Sequence, residues 1–196
     1  MVHTESVNAD QPFDQQQQQQ LLELARQAIT HELKMGIAPE ILDFREDEQM
    51  NQYAASFVTL TLDGQLRGCM GTVDAKEPLY LDVMHNAISA AFRDPRFSQL
   101  TVGDLTRTTI AISILTRPER IQVESETDLL SLLEPGNDGL VLQEGIRRAT
   151  FLPTVWEQIP SADMFVTQLK QKGGWPGDYW STAMQVSRYR TINIAE

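Results

Sequence analysis

Apolar residues recur at three- and four-residue spacing through Leu21, Leu22, Ala25, Ala28, Ile29 and Leu33. That period predicts an amphipathic helix closed near Gly36. Upstream, residues 1–20 are polar and end in six glutamines, Gln15 to Gln20. This composition builds no core, so a disordered tail is expected over 1–14 and the folded domain over 15–196. Residues 1–12 are expected to add nothing to stability. The glutamines are fair helix formers, and extending the helix backwards is the alternative reading for them. The segment 37–51, with Pro39 and acids that include Asp43 and Glu46, reads as a loop.

From Ser56 the period changes to two. Phe57, Thr59 and Thr61 alternate with Val58, Leu60 and Leu62, which predicts a strand. Asp63-Gly64 suits a tight hairpin whose two central residues take positive φ, and a second strand returns from Gln65 to about Met70. Pro78 suits a helix start, and Leu79, Val83, Ala87, Ala90 and Ala91 mark a buried helical stripe ending near Phe92. Asp94-Pro95 stops it. Thr108–Leu115 reads as a strand, and Asp128–Leu133 as a short helix before Pro135-Gly136. Residues 139–152 form a second strand–turn–strand around Glu144-Gly145. Pro153 opens a helix running through Trp156 to Ile159, and Ser161 caps another that carries Phe165, Val166 and Leu169. Gly173, Gly174, Pro176 and Gly177 form a loop around Trp175, and Met184–Ile194 reads as one closing strand. Interleaved strands and helices, some strands joined by hairpins, predict an α+β fold with a mixed β-sheet and packed helices.

LTLDGQLRG and LVLQEGIRR share an arginine three residues after a turn glycine, Gly64/Arg67 and Gly145/Arg148. Each is followed by a helix opened by proline. Two readings stand: a duplicated ββα unit, or two hairpins that resemble one another because hairpins do. Duplication predicts that both second strands share one sheet and bring Arg67 and Arg148 together near Cys69.

Of the 196 residues, 41% are hydrophobic and 22% charged, a composition that folds rather than stays disordered. Lys and Arg total 16 against 27 Asp and Glu, for a formal charge of −11. Such a chain is repelled by phosphate backbones and anionic membranes, so neither nucleic acid nor membrane is expected as a partner. No apolar run reaches membrane-spanning length, and the first residues lack a basic-then-apolar leader. One cysteine permits no internal disulfide, and His3, His31 and His85 are far apart, with no metal-ligand spacing. These features predict a cytoplasmic protein.

Arg67-Gly68-Cys69-Met70-Gly71 sets a thiol between two glycines that let the backbone approach a ligand, and Arg67 favours the thiolate. The alternative is a small buried residue between packing glycines. The segment is expected at a concave surface, with Cys69 and Arg67 facing the helix Leu79–Phe92. His85 falls on the polar side of that helix and reads as exposed. Arg93 and Arg96 can grip a carboxylate or serve as helix-terminal cations. Trp175, Tyr179 and Trp180 read as packing beneath a loop rather than a lid.

Five segments in order then carry a resemblance: Leu66–Gly71, Ala90–Phe97, Asp138–Leu142, Arg148–Trp156 and Leu169–Gly174. Together they resemble the AMMECR domain family, among whose prokaryotic members are the A proteins of AmmeMemoRadiSam systems. Met70 stands where the family usually has isoleucine. His85 precedes Asn86 where the family often has glutamate, and the glutamine run lies outside the pattern. The resemblance implies two intertwined subdomains and a functional site around the LRGC segment. It also implies a pathway shared with a Memo-type protein and a radical-SAM enzyme, without naming a reaction, substrate or cofactor.

Two functions follow. In one, an enzyme or accessory subunit uses Cys69 as nucleophile or relay in a cleft where Arg67, Gly68, Gly71, Arg96 and Arg148 bind an anionic ligand. In the other, a non-catalytic module binds a protein or ligand and Cys69 is structural.

Overall fold

The computed structural model describes residues 13–39, 44 and 47–196. The expectations for residues 1–12, and for Asp43 and Glu46 in the 37–51 loop, lie outside the described residues. Phe13 is buried, and Asp14 caps helix α1 (Gln15–Met35). The Asp14 carboxylate accepts from the Gln17 backbone N–H at 2.8 Å, and the Gln17 side chain accepts from the Asp14 N–H at 3.1 Å. This reciprocal cap makes the glutamines the opening turns of the helix. Phe13 and Asp14 therefore belong to the fold and not to the tail assigned over 1–14. Gly36, at φ 70°, closes the helix.

The chain forms two compact units: one runs to Thr116 and takes in Ile192–Glu196, and the other spans Arg117–Thr191. In the first, β1 (Ala55–Leu62) and β2 (Gln65–Gly71) form a hairpin, followed by α2 (Leu79–Phe92), the short α3 (Val102–Leu105) and β3 (Thr108–Leu115). Asp63 and Gly64 hold φ of 52° and 80°, the positive pair the turn requires. The second unit contains β4 (Glu119–Ile121), α4 (Glu126–Leu132), β5 (Gly139–Glu144), β6 (Arg147–Phe151), a 3-10 turn (Pro153–Glu157), α5 (Ala162–Lys172) and β7 (Gln185–Tyr189). Strand β8 (Thr191–Ala195) returns to the first sheet.

The expected α+β class is observed, with the strands in two antiparallel sheets rather than one mixed sheet. Their orders are β2-β1-β3-β8 and β4-β7-β5-β6. Two-residue turns can join only antiparallel neighbours, and both hairpins use one. β3 and β8 also run antiparallel, since Ser113 bonds Asn193 while the Glu196 N–H donates to Ile110 C=O. The segment expected as one strand, Met184–Ile194, is two strands in different sheets. Between them Arg190 turns to Glu134 and Asp138.

Read from the hairpin edge, both sheets have one plan: second hairpin strand, first hairpin strand, the strand after the helix, and a fourth strand. Each unit repeats hairpin, helix, strand in chain order. This favours the duplicated ββα unit over chance likeness. The intertwining lies in β8, which follows the whole second unit yet completes the first sheet.

Leu21, Ile29, Val58, Leu60, Val83 and Ile112 build the first core, where α1 and α2 meet the sheet. A buried polar knot fixes α2 there. Asp82 accepts from the Ser56 N–H at 2.7 Å, Ser56 Oγ at 2.6 Å, Thr72 Oγ1 at 2.6 Å and Asn86 Nδ2 at 2.8 Å. Leu140, Leu142, Trp156, Phe165, Leu169 and Trp175 build the second core, with the Trp156 and Phe165 rings stacked at 3.8 Å.

Candidate functional site

Gly68 decides how β2 sits. A side chain there would run into the Ala90 carbonyl near the end of α2, and one at Gly71 would run into the Phe57 ring. The room left by both glycines is thus filled by protein. The close approach is strand to helix at Gly68 and strand to neighbouring strand, β1, at Gly71, not the strand-to-ligand approach expected from the motif. Alternation then turns Cys69 away from α2, correcting the expectation that it faces that helix. It pairs across the sheet with Thr59, whose hydroxyl donates to Cys69 Sγ at 3.4 Å.

A register shift between Leu60 and Thr61 leaves Arg67 as the extra residue on β2, with Leu66 opposite Thr61 and Gly68 opposite Leu60. Bulges re-aim side chains at sheet edges. Here Arg67 reaches the chain that follows α2, and its Nη2 donates to Gln99 C=O at 3.1 Å and Ser98 Oγ at 3.4 Å. Its Nη1 is buried and has no hydrogen-bond partner. Among the described residues no carboxylate forms an ion pair with Arg67.

Asp94 organises the rest. Its carboxylate accepts from the Cys69 N–H at 2.9 Å and from Arg96 Nε at 3.0 Å and Nη2 at 2.7 Å. The Arg96 backbone N–H adds a bond at 3.1 Å. Arg96 Nη2 also donates to Cys69 C=O at 3.3 Å. The Arg96 bonds, more than any other influence, hold the Asp94 carboxyl far below the usual carboxylate range. The Arg96 guanidinium is held charged by Asp94 first, with a smaller contribution from Cys69. Phe97 lies between the cations, 6.0 Å from Arg67 Cζ and 5.3 Å from Arg96 Cζ.

Arg67, Cys69 and Arg96 therefore share one edge of the first sheet. Arg148 does not share that sheet. It lies on β6 opposite Gln143, so the expected single sheet for both arginine strands is overturned by the strand orders. His85 pairs with Glu77 at 2.9 Å on a half-exposed face of α2. Trp175 is buried in the second core, as the packing reading expects. Its indole N–H joins Tyr179 and Ser181 in donating to Glu144, whose carboxyl is lowered chiefly by Ser181. Asp94, Phe97 and Thr59 did not emerge as site residues from the sequence. For Asp94 the signal is an acid set between two arginines in Arg93-Asp94-Pro95-Arg96.

Fold and site together define an α+β protein of two hairpin-bearing units with an arginine–thiol edge on the first sheet. The chain belongs to the AMMECR1 family, whose model matches residues 22–194. A protein of Methanothermobacter thermautotrophicus is 33% identical over 185 residues, covering 91% of this chain and 94% of its own. One of Methanococcoides burtonii is 33% identical over 172 residues, covering 86% and 83%. The crystal structure of an uncharacterised protein from Pyrococcus horikoshii superposes with a TM-score of 0.74 at 29% identity, covering 88% of each chain. No helix among the described residues is long and apolar enough to cross a membrane.

Proposed function

We propose that this AMMECR1-family chain is a binding module for an acidic ligand, taken up at the β2 edge by Arg67 with Arg96 and Phe97 beside it. One observation carries the reading: among the described residues, the Arg67 guanidinium has a buried N–H without a hydrogen-bond partner and no carboxylate in an ion pair with it. Buried donors are nearly always satisfied, and an orphaned one on a partly exposed arginine marks a side chain that gains by turning outward to an acceptor from outside the chain. In a chain of net charge −11 such a cation is locally distinctive.

A nucleophilic Cys69 is the second reading, favoured by the Thr59 hydroxyl bonded to its sulfur and by Arg96 nearby. Neither neighbour can take a proton from the thiol, and this weighs toward binding. A module that holds a ligand for another protein's chemistry fits the Memo-type and radical-SAM partners implied by the resemblance. A single free thiol fits a cytoplasmic setting. Arg148, on the other sheet, is not needed for the reading.

The test is a titration of succinate into isotopically labelled protein at constant ionic strength. The Cys69 and Phe97 amide resonances should move saturably, and Arg67→Ala should abolish the movement. Absence of a saturable shift, or the same shift in Arg67→Ala, rejects the reading.

A further inference from the structure

We infer that the ligand of this edge is a compact carboxylate met by side chains alone, not an extended peptide adding a strand to β2; the inference rests on the binding reading above. β2 is an edge strand, and edges commonly accept a partner strand through successive outward N–H and C=O groups. At Cys69 both outward groups are already taken. Asp94 Oδ2 accepts from the N–H at 2.9 Å, and Arg96 Nη2 donates to the C=O at 3.3 Å. Acceptor and donor stand where a neighbouring strand would put its own. They are held by their mutual two-pronged ion pair and by the Arg96 N–H bond to Asp94. An incoming strand would have to break this arrangement and leave the buried Asp94 without its partners.

Arg67 is only partly buried and Arg96 is exposed, so a small anion can approach both guanidinium groups. Arg67 Nη1, covered and without a partner where it stands, meets the anion when the side chain turns outward. The two guanidinium carbons lie 6.0 and 5.3 Å from the Phe97 centroid, so their separation cannot exceed the sum of those distances. A carboxylate on a short apolar stem can bond one cation while its stem lies against the ring. A short dicarboxylate can reach both cations. Asp94 and Asp104 sit near these cations and limit the positive charge, which disfavours polyanions.

The experiment measures alkylation of Cys69 by iodoacetamide in the full chain, with succinate or with a short capped peptide of alternating glutamate and valine. Succinate should slow alkylation severalfold and saturably, and Arg67→Ala should remove the protection. The peptide should give no saturable protection of the unmodified chain. In Asp94→Ala, where the edge is uncovered, the peptide should begin to protect. If that variant fails to fold, Arg96→Gln, which uncovers the carbonyl, should show a smaller gain. Peptide protection of the unmodified chain equal to that of succinate, and dependent on Arg67, overturns the inference while leaving the Arg67 reading intact. Protection by neither probe overturns both. A folded Asp94→Ala or Arg96→Gln that still ignores the peptide overturns the covering role given to the pair.

Discussion

Gly68 of β2 lies directly against the backbone carbonyl of Ala90 in α2, with no space for a Cβ between them. The obstacle is backbone in a helix, which cannot swing aside as a side-chain tip can. Gly68→Ala should destabilise by about 1–3 kcal/mol through overpacking. The melting temperature should fall by about 2–4 °C for each of those kcal/mol. Gly103→Ala is the control: its nearest neighbour is Thr101 Oγ1 at 3.9 Å, and it should cost nothing measurable. Equal melting temperatures for Gly68→Ala and the parent chain would refute this account of the strand–helix contact.

Asp94→Ala should cost about 1–3 kcal/mol, because it removes a buried carboxylate that accepts from the part-buried Cys69 N–H and leaves that donor unpaired. The folded carboxyl titrates below its unfolded value, chiefly because of Arg96. Its stabilisation is therefore complete above the unfolded carboxylate range and is lost as pH falls toward the folded value. Urea denaturation from neutral to acid pH should show the gap between parent and variant narrowing below about pH 4. A gap that widens on acidification contradicts the assignment.

Asp82 should show the opposite sign. Burial is the largest influence on it and raises its carboxyl despite bonds from Ser56 and Thr72. The charged form is thus the costlier one in the folded state, and the cost grows as pH rises through the folded value. Asp82→Asn keeps the shape and removes the titration, and the Thr72 hydroxyl can turn to accept from the new amide. The parent should lose stability relative to Asp82→Asn as pH rises from about 4 toward neutrality. A difference independent of pH would mean that the carboxyl does not titrate in the knot.

Glu144 gathers the Trp175 indole, the Tyr179 hydroxyl at 2.8 Å and the Ser181 hydroxyl. Glu144→Ala should loosen residues 173–181 while the buried Trp175 ring keeps the second core. Limited proteolysis should cut this segment faster, with far-UV circular dichroism unchanged. Identical cleavage rates would show that ring packing alone holds the segment.

Much of the local structure was legible. Asp63-Gly64 and Gly145 fixed both hairpins because positive φ is expensive for other residues. Asp94-Pro95 marked the end of α2, and the apolar stripe of residues 79–91 marked its buried face. Sheet membership was not legible, because a two-residue period says which face a side chain takes and not which strand lies alongside. Met184–Ile194 therefore read as one strand. Three-residue β4 and four-residue α3 are too short to show a period. The start of α1 was available in Asp14 and Gln17, whose spacing is that of a capping box. The site was half legible. Arg67 and Cys69 stood out by type, but the bulge that re-aims Arg67 arises from a mismatch with β1 and leaves no mark in the motif. Asp94 read as a helix stop, and its hold on a strand 25 residues earlier is a tertiary fact.

The return of β8 to the first sheet also sets an order of events on the ribosome. Chain emerges from its N-terminal end, so α1, the first hairpin, α2 and β3 are available early. Their sheet nevertheless lacks its fourth strand until residues 117–190 have been made. During that interval β3 presents a bare edge next to newly synthesised β-forming segments, a condition that invites mispairing. The second unit, contiguous in sequence, can complete itself first. A chain cut after Arg190, which keeps both hairpin-bearing units but lacks β8, should therefore expose the β3 edge and aggregate more readily than the chain that carries β8.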